Sequence, residues 1–158
     1  MEVSITSTTP ETEIRYSTDG SHPTEETGLK YTVPIRIAKT TVLRAAAYRE
    51  GWRSSPAETH TYLFPDDVIT QTTATTLASG FPSTWRSDPA DYGLDPKVIG
   101  LNRRDNYRGK YAQTIREDLQ TLPSISIVME IDDLFGPRGI YSNATSRSEE
   151  HTSELQSR

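Results

Sequence analysis

The sequence predicts a mainly β fold: a small antiparallel sandwich, then an irregular linker and an incomplete α+β fragment. Three observations carry that expectation. Short runs of apolar residues alternate with polar ones at period two, the pattern of half-buried strands. Turn-forming residues separate those runs, at Pro10, Asp19-Gly20, Pro23, Gly28, Pro34, Gly51 and Pro56. Apolar content is 33% and mean hydropathy is −0.65, lean for one core spread over 158 residues. The better ordered part is therefore expected in residues 1–65.

Strands are expected near 2–7, 13–18, 35–38, 41–48 and 57–64. Ile14 and Tyr16 alternate with Arg15 and Ser17, and Thr18-Asp19-Gly20 supplies the turn that follows. Thr41–Tyr48 contains three alanines that suit a helix. Its β-branched entry and its place between turns favour a strand, in which the alanines would let two sheets approach closely. Thr70–Thr76 holds five threonines with no core pattern and reads as an exposed connector. Phe81, Trp85 and Tyr92 then pin a meandering loop rich in Pro and Gly. Asp95 suits a helix N-cap, with Pro96 at the first helical position. Apolar residues at 111, 112, 115, 119 and 122 form the stripe of an amphipathic helix over Tyr111–Leu122, stopped by Pro123. Ser124–Met129 alternates as a strand.

Charge excludes some functions. The chain carries 17 Lys and Arg against 22 Asp and Glu, a net charge of −5, so no nucleic-acid partner is expected. The basic cluster Arg103-Arg104, Arg108 and Lys110 is broken by Asp105. The absence of cysteine removes disulfides, thiolate catalysis and Cys-based zinc sites. No apolar run reaches the length of a membrane span, and no basic-then-apolar leader follows Met1. Glu2–Ser7 already alternates like a strand, so the chain is expected to begin inside a domain.

Candidate chemistry is sparse. Asp19, Ser21 and His22 invite a metal reading, but their spacing fails the alternating acids and terminal Glu of a calcium loop. Asp19, Gly20 and Pro23 are read as structural turn residues. His60 and His151 lack ligand spacing. Trp52 and Tyr48 flank Gly51 at a strand-turn tip, where an exposed aromatic pair would stack on a sugar ring; a Trp folded back over the sandwich end is the alternative. Asp133-Leu-Phe-Gly136 holds the letters of a kinase Asp-Phe-Gly, but Leu134 intervenes. A Gly-rich nucleotide loop, a strand lysine and a catalytic loop are all missing. No catalytic, cofactor-binding or metal-binding residue is expected, and no cofactor.

The run from Ser7 to Pro56 resembles the fibronectin type III-associated repeat, related to the C-terminal domain of chitobiase and β-hexosaminidase. The matching residues are Ile14, Arg15, Tyr16, Asp19, Gly20, Pro23, Thr24, Tyr31, Pro34, Ile35, Leu43, Arg44, Ala45 and Gly51. The resemblance implies an immunoglobulin-like sandwich over residues 1–65, non-catalytic, used for spacing, presentation or weak binding. It also implies a missing first strand, which would leave an unpaired edge or exposed core. Leu122-Pro123, Ile125, Ile127-Val128, Asp133-Leu134-Phe135 and Gly139-Ile140-Tyr141 resemble the start of the CotH kinase-like domain of bacterial cell envelopes. That places a linker at 66–110 and a kinase-like start at 111–146. Arg147–Ser157 resembles a translated sequencing adapter, making 147–158 an artefactual or disordered tail. Asn143-Ala-Thr145 matches a glycosylation sequon, read as a surface turn.

These resemblances imply a non-catalytic accessory or spacer fragment of a larger secreted bacterial envelope protein, extracellular or in the cell envelope. Its partners would be other domains of the parent chain and cell-wall or other polysaccharide. The alternatives are a carbohydrate-binding accessory module, or atypical protein kinase activity in the full-length parent.

Overall fold

Eight short strands and five short helices make up the computed structural model, which describes residues 1–85, 88–100, 107 and 109–141. The N-terminal part holds strands β1 (Glu2–Val3), β2 (Glu13–Ser17), β3 (Leu29–Lys30), β4 (Ile35–Arg36), β5 (Thr41–Tyr48) and β6 (Glu58–Tyr62). They form two antiparallel sheets, β1-β4 and β3-β2-β5-β6. One core lies on residues of both. Ile35 from β4, Ile37 just after it and Leu43 from β5 are buried, and Val3, Ile5, Tyr16, Tyr31, Tyr62 and Phe64 pack around them.

Strand β5 is the spine of the larger sheet, pairing β2 on one side and β6 on the other. Its alternation puts Thr41 and Leu43 on the core side and Arg44 and Ala46 on the other face. Burying Leu43 at 3% exposure stabilises the fold by roughly 1.5–3 kcal/mol. The strand expected over Thr41–Tyr48 is present at those bounds. The other expected strands are shorter by one to several residues, and β3 was missed because two exposed residues carry no periodic signal.

The threonine-rich connector is a correction. Helix α1 spans Pro65–Thr70 and α2 spans Thr73–Ala78. Thr72 closes a capping box with Thr75: each side chain accepts from the other's backbone N–H. Hydroxyls spaced three apart thereby turn weak helix formers into a helix start. The linker expected at 66–110 is thus not irregular throughout. A two-stranded hairpin, β7 (Thr84–Trp85) with β8 (Asp88–Pro89), and helix α3 (Pro96–Ile99) follow. Asp95 caps α3 as expected, accepting from the Lys97 N–H at 2.8 Å.

Helix α4 runs over Ile115–Thr121, preceded by turns, so the helix expected from Tyr111 starts about one turn late. An ion pair between Arg116 and Asp66 joins it to α1. Ser124–Met129, expected as a strand, belongs to no ladder. It passes beside β6, where the Ser126 and Thr61 hydroxyls lie 2.6 Å apart. Ile125 and Ile127 are 89% and 77% exposed: the alternation is real, but its apolar side faces out because no described sheet covers it. Helix α5 (Ile131–Phe135) follows. The described part of 111–146 holds helices α4 and α5.

The aromatic pinning expected near residue 85 is present and extends further. Tyr92 meets Phe81 and Trp85 edge-to-face at 5.8 and 5.4 Å, and Phe81 meets Phe135, which meets Tyr141. Arg103, Arg104, Arg108, the Asn143 sequon, His151 and the tail 147–158 lie outside the described residues.

Candidate functional site

Where β2 and β5 run past the core, their inner face continues as the floor of a cleft. The register Ile14↔Ala47 sets the apolar floor, extended by Ala45. Ile5–Thr9 and Thr12 form one wall, Ser55 and Glu58 the other, and Arg49, Trp52 and Arg53 stand at the mouth. The cleft encloses about 410 Å³. The alanines expected to draw two sheets together therefore divide: Ala46 is buried on the opposite face, while Ala45 and Ala47 floor an open space.

The loop at the mouth is locally built. Gly51 takes φ +75°, the Trp52 N–H donates to the Arg49 carbonyl, and the Ser55 N–H donates to the Ala47 carbonyl. Trp52 is 63% exposed. The Arg49 guanidinium lies 5.1 Å from its ring centre and pairs with Glu11 at 3.0 Å. Arg53 and Glu58 have no ion-pair partner among the described residues. The cleft lining thus includes, among the described residues, one cation and one carboxylate without an ion-pair partner, above an apolar floor and hydroxyl-rich walls.

Tyr48 and Trp52 are not brought together. Tyr48 does not line the cleft; its hydroxyl donates to the Pro23 carbonyl, and burial, then Glu25, pushes its ionisation above the ordinary value. Asp19, Gly20 and Pro23 do share one turn. The Asp19 carboxylate accepts from the Ser21 N–H at 3.0 Å and hydroxyl at 2.6 Å, and the hydroxyl bond first, then the N–H, holds its pKa below the ordinary 3.8. Gly20 sits at φ +86°, and Pro23 is fully buried. No group of three or more His, Asp or Glu is arranged to hold a metal ion among the described residues.

Residues 3–62 match the family model described as Fn3 associated. The resemblance read from Ile14 through Gly51 is supported over that segment. No curated protein and no solved structure matches the chain. The Fn3 associated segment contains the six strands of the two core sheets, except Glu2 at the start of β1, and every residue lining the cleft.

Sequence reading missed the cleft's walls and Arg49, because its lining converges from three separated stretches of chain. It also missed Glu130. That carboxylate accepts from the His22 N–H and from Arg44, in a shallow depression that Asp133 also lines. No helix of the described residues is long and apolar enough to cross a membrane.

Proposed function

We propose that this chain is a non-catalytic accessory or spacer piece of a larger secreted bacterial cell-envelope protein of the CotH kinase-like type. The match of residues 3–62 to the Fn3 associated model carries the accessory part of the reading. The parent type rests on the resemblance of Leu122-Pro123 through Gly139-Ile140-Tyr141 to the opening of a CotH kinase-like domain. Ser126 and Glu130 of that later segment touch the Fn3 associated segment at Thr61 and Arg44. They make the β domain a platform on which the following segment is laid.

Asp133 has no place in a catalytic centre on this reading. Its backbone N–H donates to the Glu130 carbonyl, and it stands in the middle of a helix of only five residues. Phosphoryl transfer requires metal ligands and a positioned base, and the Asp133 depression brings together one histidine, one arginine and two acids. Atypical kinase activity is assigned to the parent chain.

The deciding experiment amplifies and resequences the source DNA across the codons for Asn143 to Arg158. A reading frame that continues past Ser146 into new sequence supports a longer parent and an artefactual tail. Tail codons present in the genome overturn the reading. A thermal shift of the chain by ATP and Mg²⁺ would overturn its non-catalytic part.

A further inference from the structure

We propose that the Arg44 guanidinium and the His22 N–H form a carboxylate-binding site with an exchangeable occupant. Glu130 fills it from the chain's own downstream segment, and a free carboxylate can take its place. The β domain builds the donors without help from Glu130. Arg44 is fixed by its place in β5 and by donating to the Gly20 carbonyl at 3.0 Å. The His22 N–H follows the Asp19 turn, in which the Ser21 N–H donates to Asp19 at 3.0 Å and the Ser17 hydroxyl donates to the Ser21 carbonyl at 2.5 Å. Pro23, fully buried, fixes the chain immediately after. Both donors therefore stand in place before any carboxylate arrives.

The cation demands an anion. Arg44 is largely withdrawn from water, and its Nε is buried without a partner. A guanidinium in that setting keeps its charge and has donors left to satisfy. Its bonds to a carboxylate are roughly twice as strong as bonds between neutral groups. Glu130 answers with one oxygen, Oε1, which accepts from Arg44 at 3.1 Å and from the His22 N–H at 2.9 Å.

That occupant is held loosely. Oε2 of Glu130 has no hydrogen-bond partner among the described residues. Ahead of it, residues 123–129 make no backbone hydrogen bond among the described residues, and their one side-chain bond joins Ser126 to Thr61. A segment attached at so few points opens at low free-energy cost. In front of the site lies a depression of about 490 Å³, lined also by Ser21, Met129 and Asp133, which leaves room for an incoming ligand. Asp133 sets that ligand's charge: a phosphate dianion would meet a like charge there, so a singly charged carboxylate fits better.

The test titrates the isotope-labelled full chain, wild type and Glu130→Ala, with sodium acetate exchanged for sodium chloride at constant ionic strength. In Glu130→Ala the His22 amide signal is expected to move back toward its wild-type position and to saturate. Wild type presents an open site only in the fraction of molecules that have released Glu130, and is expected to bind acetate at least about tenfold more weakly. Acetamide, of the same shape without the charge, is expected to leave the His22 signal where it is. If Glu130→Ala loses the β2–β5 amide pattern, Glu130→Gln, which keeps the side-chain size, carries the same titrations with the same expected results. No saturable movement of the His22 amide, equal action of acetamide, or equal affinity of variant and wild type overturns the proposal. Tighter binding of inorganic phosphate than of acetate overturns the carboxylate assignment.

Discussion

Arg44 and Glu130 lie 86 positions apart, and one guanidinium nitrogen of Arg44 joins them. It donates to Glu130 Oε1 at 3.1 Å and to the Gly20 carbonyl at 3.0 Å, and the same carboxylate oxygen accepts from the His22 N–H. The Arg44 side chain is 17% exposed, and its Nε is buried without a partner. This one carboxylate ties β5, the turn after β2 and the chain leading into α5 together. Glu130→Ala should lower stability by about 1 kcal/mol, between the worth of an exposed pair and that of a charge left unpaired. Denaturant unfolding measures the loss, and faster amide exchange at His22 checks that this contact is the one removed.

The turn glycines should respond unequally to alanine. Gly20 and Gly28 both have positive φ, +86° and +83°, which costs an L-residue roughly 1–2 kcal/mol. At Gly20 the added methyl would meet Val42 at 3.4 Å, an ordinary contact; at Gly28 it would meet the Tyr16 carbonyl oxygen at 2.9 Å. That carbonyl belongs to β2 and cannot yield without disturbing the sheet. Gly28→Ala is expected to lower the melting temperature more than Gly20→Ala, as paired thermal unfolding curves would show.

Acid should weaken the turn through Asp19. The Ser21 hydroxyl, then the Ser21 N–H, favours the carboxylate and lowers its pKa below the ordinary 3.8. A folded pKa below the unfolded one gives stability that is complete above the unfolded value and is lost as pH falls through the folded one. Asp19→Asn should therefore be less stable than wild type at neutral pH. The gap should close below about pH 3.8, which denaturation across a pH series would test.

Tyr48 makes the opposite demand at alkaline pH. Burial, with Glu25 second, raises its pKa above 10.0, so its contribution is complete below that value and lost as pH rises through the folded one. Tyr48→Phe removes the bond to the Pro23 carbonyl at an expected cost of about 1 kcal/mol. The same variant should lose one tyrosine that titrates above the ordinary value in an absorbance titration.

The β domain was legible because its information is local. Alternation at Ile14 and Tyr16, turn chemistry at Asp19-Gly20 and the β-branched entry at Thr41 act within a few residues of where they stand. The Asp95 cap was legible for the same reason. Thr72 and Thr75 misled, because composition suggested a connector while their spacing closed a capping box. Ser124–Met129 misled differently: alternation describes a strand's faces, but a ladder needs a neighbour far away in sequence. Whether Ala45 and Ala47 meet another sheet or a cleft depends on what lies above them, and no property of the two alanines records that.

The two tryptophans occupy unlike surroundings: Trp52 is exposed at the cleft mouth with Arg49 over its ring, whereas Trp85 meets Tyr92 in the ring cluster reaching Phe135 and Tyr141. The molecule therefore carries one optical reporter at the cleft and another in the ring cluster. Trp52 emission should be red-shifted and open to iodide quenching, and Trp85 should supply the near-ultraviolet dichroism of rings held in fixed edge-to-face order. Unfolding followed at both signals would show whether the β domain and the aromatic cluster melt as one cooperative unit or two.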